Sequence, residues 1–223
     1  MKIQSKKVKS LKDRKYSLIV VDGGDGSGKS TLVKMCQTLF PDVKLAITRE
    51  PGGSPFAEKI RGLSLSDDAK DAPAETHFGL MWAARADHIA RHIKPLLKKG
   101  NVLSDRFDSS TYAFQIHGQK NKRLEDLFWK TRAIYLKDLR PNIYVFVDVP
   151  PQVGMERSRR RAIGPAGEKQ NHFDSKPLDY YARVRKGYKQ FLKKVPHVIV
   201  NGNQPLEDVV EEFKKKIEPF LIK

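Results

Sequence analysis

Cysteine is almost missing from this chain: the single residue, Cys36, excludes an internal disulfide framework and fits a reducing compartment. Long apolar runs are missing as well. No stretch approaches the 18 or more residues of a membrane span, and the N-terminal stretch has no apolar secretory core, so no membrane contact and a cytoplasmic location are expected. The six histidines form no Cys–His or His–carboxylate arrangement that would mark a nucleophilic dyad. Acidic residues are also scarce, 26 against 43 Lys and Arg, for a formal charge of +17.

A basic balance of that size points to nucleic acid, a membrane surface or small anions, and its distribution decides among them. Residues 1–15 hold seven Lys or Arg and one Asp, so about +6 sits in an N-terminal extension that is expected to be disordered. Much of the rest lies in Arg157, Arg159, Arg160 and Arg161 and in Lys214–Lys216. The extension lacks the interleaved aromatics that favour single-strand binding, which argues against a nucleic-acid arm.

Five apolar, β-rich runs punctuate the chain at Ser17–Val21, Lys44–Thr48, Asn101–Ser104, Asn142–Val147 and His197–Val200, with helix-period segments between them. Such alternation predicts a five-stranded parallel sheet covered on both faces by helices, a three-layer α/β fold. Ligands in these folds gather at the carboxyl ends of the strands. With no internal repeat and no low-complexity linker, residues 16–223 are expected to form one domain. The stretch from Ala74 to Lys99 reads as one long helix bent at Pro95, and the stretch from Leu206 to Phe220 as an amphipathic closing helix.

The first run leads into VVDGGDGSGKST, where Gly23, Gly28, Lys29 and Ser30 match the phosphate-loop spacing G-x-x-x-x-G-K-[ST]. Glycines let successive backbone N–H groups turn toward an anion, and the following helix N-terminus adds its positive dipole end. Lys29 has the reach for the β/γ-phosphates, and the Ser30 hydroxyl is a Mg²⁺ ligand. Two carboxylates compete as the partner of that metal: Asp105, followed by Arg106, and Asp148, at the end of the fourth run. Asp105 is preferred, because the Arg beside it adds a phosphate-directed group. TREPGGSPFAEKIR places Arg49 at a second strand end, where its fork suits a phosphate. Arg85, in an apolar helical context, reads equally as an ion-pair partner or a ligand contact. The Arg-dense segment around 155–175 reads as a lid that starts as a helix and passes into a loop.

These motifs, GGDGSGKST, TREPGGS, the AAR of 83–85, SDRF with DSSTYAFQ, and DVPPQVGMERSRRR, stand in the order found in the thymidylate kinase family, which the chain resembles from about Tyr16 onward. The resemblance implies a P-loop nucleoside-monophosphate-kinase fold, usually homodimeric. It also implies Mg²⁺-dependent transfer of the γ-phosphoryl of ATP to dTMP, giving dTDP and ADP on the route to dTTP. On this resemblance Gly23, Gly26, Ser27, Gly28, Lys29, Ser30 and Thr31 bind ATP, with Ser30 and Asp105 toward the metal. Asp25, Arg49, Phe56, Met81, Arg85, Arg106, Thr111 and Phe114 are assigned to the acceptor site. Lys29, Arg106, Arg157, Arg159 and Arg161 are the groups implied to neutralise transferring charge. Gly26 after Asp25, with arginines in the lid, matches the bacterial-type variant of the family.

Three departures from the family pattern stand out. Asp22 replaces the usual Glu, and Met81 occupies the place of a thymine-stacking Phe, which leaves Phe78 or Trp82 to compensate. The lid is longer than usual, ending loosely at 171–174. The rival readings are a kinase for a nucleoside or another monophosphate, with Glu50 or Asp22 as base, and a nucleotide-dependent nucleic-acid-binding ATPase.

Overall fold

Every apolar run becomes a strand, and every strand carries one polar residue more at its carboxyl end than the pattern suggests. The strands are β1 (Leu18–Asp22), β2 (Leu45–Arg49), β3 (Asn101–Asp105), β4 (Ile143–Asp148) and β5 (His197–Asn201). The structure, a computed structural model, describes residues 15–137, 139–163 and 176–223. Most of the expected basic extension, and the loop half of the expected lid with its end at 171–174, lie outside them. The strands pair in parallel in the order β2-β3-β1-β4-β5, the architecture expected from the alternation.

The central strand β1 is buried along its whole length, as a strand covered on two faces must be. Its period-two alternation divides the core. Ile19 and Val21 pack with Leu32, Val33 and Cys36 of α1 (Lys29–Leu39) and with Val209, Phe213 and Ile217 of α9 (Leu206–Ile217). Leu18 and Val20 face the opposite layer, which is dominated by aromatic rings. That layer contains α3 (Ala74–His88), α6 (Leu124–Leu136) and α8 (Leu178–Leu192).

The long helix beginning at Ala74 does not simply bend at Pro95. It widens into π-helical turns over Ile89–Ile93 and closes with a short α4 (Lys94–Leu96). Proline lacks an N–H, and its ring meets the carbonyl four residues earlier, here Arg91. The widened turns sit where that conflict falls.

The other helices are α2 (Pro55–Leu65), α5 (Asp108–Thr111), which runs into π-helical turns over Tyr112–Gly118, and α7 (Pro151–Ile163). Buried Asn101 ties the amino edge of the sheet: its Oδ1 accepts from the Ser17 and Ile222 N–H groups, and its Nδ2 donates to the Ile222 carbonyl. Among the described residues no helix is long and apolar enough to cross a membrane.

Candidate active site

The turn between β1 and α1 is shaped by close approaches that only glycine permits. Gly26 has φ +71°, and a Cβ there would stand 2.0 Å from the Gly154 carbonyl oxygen of α7. A Cβ on Gly154 would stand 2.5 Å from the Asp25 carbonyl oxygen. The loop and the first turns of α7 are therefore locked backbone to backbone. Gly28, at φ +90°, opens α1, so the free N–H groups of its first turn end at the loop.

Lys29 is buried, with its ammonium 3.3 Å from the Gly24 carbonyl and 3.9 Å from Asp25. Burial and then the neighbouring Arg106 cation hold its pKa below the usual lysine range, so an arriving phosphate anion would relieve an unfavourable environment. Ser30 Oγ donates to Asp105 Oδ2 at 2.9 Å. Asp105 Oδ1 is buried and has no partner among the described residues. A hydroxyl beside an unsatisfied carboxylate oxygen is a donor set that suits a hard divalent cation and its waters. Asp148 is spent elsewhere: Arg185 donates to both of its oxygens at 2.6 and 2.9 Å, and Lys189 stands 3.0 Å away. Of the two carboxylates that the sequence leaves open, only Asp105 is available to a metal.

Arg106, at φ +70°, turns its guanidinium back over the loop. One terminal nitrogen contacts Asp22 and the Gly23 carbonyl at 3.2 Å, and Ser110 Oγ and Tyr188 Oη at 3.0 Å; the other donates to Asp25 at 2.6 Å. Burial would lower its pKa, but Tyr188, Asp25 and Asp22 outweigh that and raise it, so the charge is permanent. Beside it opens a cavity of about 200 Å³. Asp25, Met81, Arg85, Arg106, Thr111 and Phe114 line it, which brings together six of the eight residues expected at an acceptor site.

The other two, Arg49 and Phe56, do not line this cavity. Arg49 is half exposed and is captured by Glu58 of α2 through contacts of 3.0 Å, while Phe56 is 56% exposed. Arg61, which the sequence reading passed over, lines the cavity instead. Its guanidinium donates to the Pro51 carbonyl, and burial followed by Arg49 depresses its pKa. The only sequence signal was its place three residues after Glu58 on the helix that follows the Pro-Gly-Gly turn.

Arg85 is both an ion-pair partner and a cavity residue. Its Nε donates to Glu50 Oε2 at 2.8 Å and one terminal nitrogen to Thr111 Oγ1 at 3.1 Å, while the other is buried without a partner among the described residues. The same Glu50 accepts from His88 Nδ1 at 3.0 Å, and His88 Nε2 lies 2.7 Å from Thr48 Oγ1. Glu50 is thus committed on both oxygens. Phe78 and Trp82, the residues expected to compensate for Met81, do not line the cavity: both are buried in the aromatic layer, with Trp82 5.6 Å from the Phe128 ring. Phe114 is the cavity's aromatic wall.

Of the lid arginines, Arg157 donates to the Gly202 carbonyl at 2.8 Å, beside the phosphate loop. Arg159 and Arg161 are exposed, and helical spacing puts Arg159 on the opposite side of α7 from the other two.

A phosphate loop at the carboxyl edge of a parallel sheet, next to a cavity rich in cations, defines a phosphotransferase of the P-loop nucleoside-monophosphate-kinase class. The sequence model described as thymidylate kinase matches residues 21–213. A thymidylate kinase of Clostridium novyi is 34% identical over 206 residues, covering 90% of this chain and 97% of the relative. One of Teredinibacter turnerae is 33% identical, covering 91% and 98%. The crystal structure of thymidylate kinase from Ehrlichia chaffeensis superposes with a TM-score of 0.68 at 25% identity, over 91% of this chain and 98% of that one. The chain belongs to the thymidylate kinase family.

Proposed function

We propose that this protein transfers the γ-phosphoryl group of ATP to dTMP, giving ADP and dTDP, with Mg²⁺ as cofactor. The observation that carries this reading is the juxtaposition of buried Lys29 and the Ser30–Asp105 pair with a cavity presenting Arg85, Arg106 and Asp25. A phosphate monoester has its second pKa near about 6 and is largely dianionic at neutral pH, so the acceptor oxygen needs no strong base. Both candidate bases are in fact occupied: Glu50 by Arg85 and His88, Asp22 by a set of hydroxyls and Arg106. That favours a monophosphate acceptor over a nucleoside.

The chain's own work is then alignment and charge neutralisation. Lys29 and the loop N–H groups would hold the donor phosphates. Arg106 would meet the acceptor phosphate, Arg85 the base, and Asp25 the sugar. Arg157, with Arg161 on the same face of α7, would bring positive charge over the donor side, while Arg159, on the opposite side of the helix, would not share that face. Ser30 and Asp105 would hold Mg²⁺, which when bound neutralises charge on the β- and γ-phosphates.

A coupled ADP-release assay with Mg·ATP and a panel of dTMP, dUMP, dCMP, dGMP, UMP and thymidine tests this. Turnover confined mainly to dTMP is expected. Preference for another monophosphate overturns the substrate; nucleotide hydrolysis stimulated by DNA, with no acceptor turnover, overturns the class.

We also propose a homodimer, supported by exposed apolar side chains on two helices: Leu127, Ile134 and Tyr135 of α6 and Leu63 of α2.

A further inference from the structure

Tyr188 lies on α8, 166 residues from Asp22, and the fold brings the two into a hydrogen bond of 2.7 Å. It is buried, it does not line the acceptor cavity, and its ring packs edge-on against Phe114 at 6.2 Å and at a shallow tilt against Phe146 at 5.1 Å. Burial and then Asp22 push its phenol well above the ordinary value, so the hydroxyl keeps its proton and donates it to Asp22. The same oxygen accepts from Arg106 at 3.0 Å. Asp22 is otherwise filled by the Gly23 N–H at 2.9 Å and by the Ser109 and Ser110 hydroxyls at 2.7 and 3.0 Å.

Arg106 is drawn in two directions. One terminal nitrogen is engaged by Asp22, the Gly23 carbonyl, Ser110 and Tyr188, and the other by Asp25, whose carboxylate lines the cavity. Its backbone is in the left-handed region, which an L side chain adopts only where its surroundings hold it there. The two anchors act on opposite ends of the guanidinium. Whatever loosens the Asp22 side lets the group move onto Asp25 and close into a two-toothed ion pair, a geometry that guanidinium and carboxylate favour. Such a pair would occupy the face that an acceptor phosphate needs.

We propose that Tyr188 is a positioning residue for acceptor binding: through Asp22 it holds the Arg106 guanidinium away from full pairing with Asp25, so that one face stays open to the acceptor phosphate. The claim rests on Arg106 as the acceptor-phosphate contact. It gives α8, the helix that follows the lid segment, a part in setting acceptor affinity without touching the acceptor.

The test is a double-mutant cycle read by calorimetric dTMP binding, with ATP binding measured in parallel. Tyr188→Phe keeps the ring and removes the hydroxyl. It is expected to weaken dTMP binding roughly tenfold while ATP binding stays within about twofold, a loss of the size one hydrogen bond supplies. In an Arg106→Lys background the same change should have no further effect, because the group it acts through is gone. Asp22→Asn should reproduce the dTMP loss. A purely structural role for Tyr188 predicts equal losses for both nucleotides, or a full Tyr188→Phe effect in the Arg106→Lys background, and either result overturns the proposal. Normal dTMP binding by Tyr188→Phe overturns it while leaving the acceptor reading intact. Failure of the unsubstituted protein to bind dTMP overturns both.

Discussion

His77 and His117 show how burial sets the behaviour of single residues here. His77 is 1% exposed and pairs through Nε2 with the Ala69 carbonyl, while His117 packs against the Tyr112 ring at 5.1 Å. Burial lowers the pKa of both, more than the Ala69 carbonyl raises the first or Glu125 the second. An unfolded histidine takes up a proton near about pH 6.5, and these rings resist it. The stability they contribute is therefore complete above that pH and is lost as pH falls through the window below it. We expect the melting temperature to fall on acidification from about pH 7.5 to about pH 5.5, and replacement of both residues by Gln to flatten that slope. An unchanged slope in the double variant would assign the acid loss to other groups. The same balance of burial against partners fixes Arg85: it is tolerated in the core because Glu50 and Thr111 engage two of its three guanidinium nitrogens, and the third is what a ligand could use.

At the scale of elements, the contact between the phosphate loop and α7 is the one most sensitive to a single atom. Gly154 lies inside a helix, where Gly→Ala ordinarily stabilises by about 1 kcal/mol. Here the added Cβ would meet the Asp25 carbonyl at 2.5 Å, and backbone cannot yield as a flexible side chain does. Gly154→Ala is expected to displace the loop and lower kcat/KM for Mg·ATP by roughly tenfold or more, equivalent to about 1.4 kcal/mol. Steady-state kinetics check this, and an unaltered kcat/KM would show that the helix moves freely relative to the loop. The same contact explains why Arg157 lies near the donor side: α7 is anchored at its start, so its position follows the loop's. How much of this could be read from the chain differs by element. The Gly-rich turn, its strand and its helix were legible because spacing alone specifies them. The pairing of Gly26 with Gly154 was not, because each glycine looks permissive until its neighbour is known.

At the scale of the molecule, Leu127, Ile134 and Tyr135 of α6 and Leu63 of α2 leave apolar surface exposed to solvent. We expect sedimentation equilibrium to give a mass near twice the 25.4 kDa of one chain, and Ile134→Lys to shift it toward the monomer. A monomer at micromolar concentration would sink the dimer reading. Some of the cations behind the net charge of +17 are paired within the fold. Arg185 and Lys189, for example, share the single carboxylate of Asp148, and that pairing occupies a carboxylate that the sequence could not exclude as a metal ligand.

The sequence by itself determined the layer order, the strand positions to within a residue and the phosphate loop. Each of these is encoded locally, by a period of two, a period of 3.6 or a fixed run of glycines and polar residues. Tertiary structure alone decided which side chains share the acceptor cavity. It admitted Arg61 and excluded Arg49, because Glu58, nine residues along, sits one helical turn into α2 and captures the nearer guanidinium. It also joined Asp22 to Tyr188 and Glu50 to both Arg85 and His88. Those contacts span 166, 35 and 38 residues, and no local pattern records which of many buried polar groups will meet when the chain closes.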